Sequence, residues 1–118
     1  MLKNNVIIIL LIIFSFSFIS AQTLTITSPK MNDPISADGE IYISWNSSGI
    51  DGEVTIQWAK TSSRNNWNNI DEVGVGEGSY YWWWPNELEN YRGKIIIKIF
   101  SSSKIWVKDE VKLWHVEL

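Results

Sequence analysis

Apolar and polar residues alternate with period two along much of the chain, and no segment sustains a helical period. LTITS (24–28) reads as a strand that stops at Pro29. EIYISW (40–45) puts Ile41, Ile43 and Trp45 on one face and Tyr42 and Ser44 on the other. EVTIQW (53–58) does the same with Val54, Ile56 and Trp58 against Thr55 and Gln57. KIIIKIF (94–100) sets Ile95, Ile97 and Ile99 together. NIDEV (69–73) predicts a short edge strand. In the closing VKLWHVEL, Trp114 and Val116 fit the inward face, which leaves Leu113 and His115 outward. About seven short strands separated by turn residues predict an all-β fold, an immunoglobulin-like or fibronectin-III-like β-sandwich.

Two strands begin alike: DGEIYISW (38–45) and DGEVTIQW (51–58) share D-G-E-[IV]-x-I-x-W. Glycine accepts positive φ and aspartate bonds its own backbone, so each Asp-Gly predicts a tight turn into an inward-facing strand. A second segment, GSYYWWWP (78–85), places five aromatic side chains between a glycine and a proline. Strand alternation divides them between two faces.

The first residues change the compartment. Lys3 precedes an apolar run from Val6 to Ile19, and Ser20-Ala21 are small residues before Gln22. This is the pattern of a secretory signal peptide over residues 1–21, cleaved after Ala21. The run is shorter than the roughly 20 apolar residues a spanning helix needs, so no membrane span is expected after cleavage. Residues 22–118 then form a single domain. The chain has no cysteine, which excludes disulfides and a lipid-modified cysteine, so the domain must hold by burial alone. Its eight tryptophans supply large side chains for that core. Loss of Lys3 leaves nine basic against thirteen acidic residues, a net charge of −4. The basic residues are scattered, so nucleic acid is not an expected partner.

The order of ITSP (26–29), ISWNSSG (43–49), GSYYWWWP and IKIFSSS (97–103) resembles the immunoglobulin-like domain of the Ser/Thr-rich, glycosylphosphatidylinositol-anchored yeast cell-wall family. It is similar also to related repeat modules of secreted bacterial proteins. The likeness runs over nearly all of residues 23–118 through short, mostly structural motifs. It implies a surface or matrix role without catalytic residues. No Ser/Thr-rich tail follows the domain here, so the family's lipid anchor is not an expectation for this chain.

In the GSYxW pattern of that family the tryptophan corresponds to Trp82. With Trp82 inward, Tyr80 and Trp84 are expected inward and Tyr81 and Trp83 outward. The aromatics left for a surface are Tyr42, Trp67, Tyr81 and Trp83, with Tyr91 and Trp106 beside them. Such residues cover sandwich edges, anchor protein interfaces or stack on sugar rings. The expected function is therefore that of an extracellular assembly subunit using exposed aromatics and edge strands, binding protein or itself. The alternative is a carbohydrate-binding module for a polysaccharide. No enzyme is expected: His115 is the sole histidine, and neither a nucleophile motif nor a zinc cluster accompanies it. Turn geometry accounts for Asp33, Asp38, Glu40, Asp51 and Glu53, so no metal or cofactor is expected. Asn46-Ser47-Ser48 is a glycosylation sequon if the host is eukaryotic.

Overall fold

The computed structural model of the protein describes residues 21–33, 39–88, 91 and 93–115. The leader-like segment at 1–20, Asp38 and Val116 lie outside them. Seven strands follow in order: β1 (Thr23–Ser28), β2 (Glu40–Ser48), β3 (Glu53–Lys60), β4 (Asn68–Gly74), β5 (Ser79–Trp83), β6 (Gly93–Ser101) and β7 (Lys108–His115). They make two antiparallel sheets, β1-β2-β5 and β4-β3-β6-β7. An immunoglobulin constant-type sandwich sets its fourth strand beside the fifth. Here β4 pairs with β3 instead, giving the three-plus-four arrangement of an all-β sandwich.

Alternation builds the core as the sequence predicts. Ile41, Ile43 and Trp45 of β2, Val54, Ile56 and Trp58 of β3, and Ile95, Ile97 and Ile99 of β6 are all buried in one cluster. Each such side chain contributes roughly 1.5–3 kcal/mol by leaving water. Trp58 of the large sheet meets Trp82 of the small sheet at 5.9 Å between ring centroids, and Trp84 lies 5.9 Å beyond Trp82. Tilted aromatic pairs at this distance are favourable beyond their area. The Trp45 indole donates to the Val75 carbonyl at 3.0 Å, which leaves no polar atom of that ring stranded in the core.

The two Asp-Gly turns behave alike where both are described. Gly39 and Gly52 take φ of 85° and 86° immediately before β2 and β3. A side chain would be strained in that left-handed region. The repeated D-G-E pattern is thus a repeated backbone solution.

The last strand departs from expectation. Leu113 is buried with Val111 rather than outward. Register explains it: Ile95 pairs with Leu113 and Ile97 with Val111, and residues directly opposite in a sheet share a face. The isoleucines of β6 therefore decide the phase of β7, whatever the size of its tryptophan. The expectations for Trp114, His115 and Val116 concern side chains outside the described residues.

Candidate functional site

The outer face of the small sheet gathers three of the four aromatic candidates. Tyr42, Tyr81 and Trp83 are 44%, 59% and 67% exposed, which is far above what packing residues keep. β2 and β5 pair with Tyr42 opposite Tyr81 and Glu40 opposite Trp83. The Trp45 amide donates to the Gly78 carbonyl and that of Trp84 to Gly39. These fix Trp45–Gly78 and Gly39–Trp84 as hydrogen-bonded pairs, so Tyr42–Tyr81, at odd steps between them, is a non-hydrogen-bonded pair. Side chains approach most closely at such pairs. The two phenol rings accordingly sit 4.9 Å apart, tilted by 46°.

Polar groups border the rings. Ser44 pairs with Ser79, and its hydroxyl shares a 2.7 Å hydrogen bond with that of Thr27 on β1. The Ser28 hydroxyl donates to the Tyr42 carbonyl at 3.4 Å. Asn46 continues the outward row of β2 and is exposed. The face is therefore an aromatic ridge flanked by a hydroxyl row on one side and Glu40 on the other.

The inward half of GSYYWWWP fulfils the alternation. Trp82 is buried, and Tyr80 and Trp84 pack against the core at its margin. Burial, followed by a hydrogen bond to Asp71 and its charge, holds the Tyr80 phenol above its ordinary value. That contact ties β5 to β4 of the other sheet.

No protein-family model matches the chain, and no curated protein or solved structure matches it either.

Trp67 lies elsewhere. It is half-buried in the segment between β3 and β4, and the Lys98 ammonium sits 3.9 Å from its ring centroid on the outer face of the large sheet. Phe100 flanks the same ammonium at 5.4 Å, and burial pulls the Lys98 pKa below its ordinary value. Arg64, from the same segment, reaches Glu110 at 3.7 Å. Trp67 thus holds its loop to β6 and is not brought to Tyr42, Tyr81 and Trp83.

Two further features have no counterpart in the sequence expectations. Ala59 and Ile96, cross-strand partners on the outward side of the large sheet, are fully buried. Glu53 and Glu72 share a hydrogen bond that, with Glu72's charge, pushes the Glu53 carboxyl up while lowering that of Glu72. Glu72 also accepts from Ser102 at 3.2 Å and Thr55 at 3.3 Å. Register across an undetermined pairing is needed to foresee either. Trp106, 70% exposed in the turn between β6 and β7, is remote in sequence from the ridge. The Tyr91 hydroxyl donates to the Lys94 carbonyl at 2.9 Å, a structural use. Among the described residues no cluster of acids, histidine or cysteine is placed to hold a metal ion, and no helix is long and apolar enough to cross a membrane.

Proposed function

We propose that this chain is a secreted, non-catalytic module that assembles with extracellular protein, copies of itself included, through the outer face of its small sheet. The carrying observation is the exposure of Tyr42, Tyr81 and Trp83 together on one sheet face. Tyrosine and tryptophan are the residues that most often dominate protein contacts, because each offers a large rigid area at low entropic cost. The leader-like segment and the motif resemblance to cell-wall and secreted modules support an extracellular setting. The 46° tilt between the tyrosines makes the surface a ridge, which suits a shaped protein partner better than a flat sugar array.

A polysaccharide is the second reading. The hydroxyls of Thr27 and Ser44 beside the phenols favour it, since ring stacking and hydroxyl hydrogen bonds together recognise a pyranose. A sedimentation assay of residues 22–118 separates the two. Concentration-dependent association without polysaccharide, lost in Trp83→Ala, supports assembly. Sedimentation only with β-glucan, cellulose, chitin or peptidoglycan supports the carbohydrate reading and overturns the first.

A further inference from the structure

We infer that β5 is a pairing edge, and that it joins antiparallel to β5 of a second copy with the two-fold axis at Tyr81. The inference rests on the assembly reading above and specifies its contact.

The hydrogen-bonded pairs Trp45–Gly78 and Gly39–Trp84 fix the direction of every amide in β5. Residues 78, 80, 82 and 84 spend their backbone groups on β2. Ser79, Tyr81 and Trp83 aim theirs at the opposite edge, where no strand pairs among the described residues. Such an edge is a template for another strand unless the chain blocks it.

The other three edges are blocked. In β1 the pairing shifts between Ile26 and Ser28, the strand ends before Pro29, and the Ile26 amide donates to the Asp109 carboxylate at 2.8 Å. β4 carries Asp71 and Glu72 and a bulge against β3. β7 carries a run of charge from Lys108 to Glu110, and Lys112. β5, SYYWW, carries none. Self-pairing of an acidic edge such as β4 opposes like charges; β5 escapes this, and β1, which also lacks charge, is closed by its register shift and the Asp109 contact.

The strand is also complementary to itself. Centring on Tyr81 makes Tyr81 a hydrogen-bonded pair with its own copy and sets Ser79 opposite Trp83 of the second copy. Every outward amide and carbonyl of the strand then finds a partner. Each large indole lies across from a small serine, and the two aromatic ridges join into one. A C2 contact of this kind is isologous and closes at two subunits.

β4 runs along the same side of the sandwich, linked to β5 through Tyr80 and Asp71. Its acids oppose the contact, so dimerisation should strengthen with salt as screening removes that repulsion.

The experiment uses residues 22–118, which hold all seven strands and the described core, in sedimentation velocity at low and high ionic strength. A concentration-dependent dimer is expected. Amide exchange by NMR should slow at Ser79, Tyr81 and Trp83 as dimer forms. Tyr81→Lys and Tyr81→Glu should each weaken dimerisation about tenfold or more, and an equimolar mixture should restore it, because the two positions face each other on the axis. Near-wild-type circular dichroism of each variant would show that the fold survives. Trp106→Ala, in the turn between β6 and β7 and away from the ridge, should leave the dimer in place. Dimerisation without protection of those three amides, or a mixture that stays monomeric, overturns the edge. If Tyr42→Ala dissociates the dimer while Tyr81→Lys and Tyr81→Glu do not, face-to-face assembly stands and the edge inference falls. A monomer at every concentration and salt overturns both.

Discussion

Adjacent tryptophans in β5 meet opposite environments: Trp82 packs between Trp58 and Trp84 in the core, while Trp83 stands two-thirds exposed on the outer face. Truncation should separate them sharply. Trp82→Ala removes a buried ring and leaves a cavity, at a cost of about 3–5 kcal/mol. Trp83→Ala removes little packing and should stay within about 0.5 kcal/mol of the parent. Urea unfolding checks both, with the shift read in the midpoint at unchanged slope. The glutamate pair Glu53–Glu72 gives a second residue-scale prediction, in pH. A carboxyl whose pKa is raised on folding contributes stability below its ordinary value of 4.5 and loses it as pH rises through the raised value. Glu72, lowered by the same contact, contributes in the opposite sense, present above its ordinary value and lost as pH falls. Glu53→Gln keeps a donor for Glu72 and removes one of the two like charges. Its melting temperature should exceed that of the parent at neutral pH and converge with it in acid, where Glu53 is protonated. A constant offset across pH would show that the charge is not responsible.

At the scale of elements, the sequence discloses strands better than it discloses their phase. β2, β3 and β6 each carry three apolar residues at alternate positions, so their inner faces are legible without a structure. The alternation in GSYYWWWP is legible too, but with aromatics at both parities only the motif resemblance chose Trp82 for the inner face. β7 is not. Its apolar residues fall at both parities, and only pairing with Ile95 and Ile97 selects Leu113 and Val111 for the core. Leu113→Ala should therefore cost about 2–5 kcal/mol, a value that an outward leucine would not approach; urea unfolding decides it. Trp67 was equally hidden as a loop anchor. Its partner Lys98 lies 31 positions away by number, and no local pattern shows that the loop after β3 folds over β6. Strand parity turns three of the four candidate site residues outward, each on its own strand, but that β2 and β5 share a sheet and bring them to one face is not in the parity. That they touch, as Tyr42 and Tyr81 do, follows from register across β2 and β5, which the sequence leaves open.

For the molecule as a whole, neither sheet owns a core. The small sheet supplies Ile41, Ile43, Trp45 and Trp82; the large one supplies Val54, Ile56, Trp58 and the isoleucines of β6. Separating the sheets would expose both apolar faces at once, and with no disulfide to hold a part together there is no intermediate that keeps half the burial. The domain should therefore unfold in one cooperative step. Even Trp82→Ala, which weakens the contact between sheets most directly, should shift that step without splitting it. Far-UV circular dichroism and tryptophan fluorescence should then give coincident urea transitions for parent and variant. Two separated transitions, with strand signal outlasting fluorescence, would mean that β4-β3-β6-β7 persists without its partner. The same cooperativity bears on the β5 edge. Because β5 is held to the core by Trp82 rather than by its free side, its outward amides can accept a second strand without the sandwich opening. A variant altered only at the outward positions 79, 81 and 83 is therefore expected to change assembly while keeping the parent's unfolding midpoint at concentrations where the parent is monomeric, and to lose only the mass-action stabilisation that dimerisation adds above them.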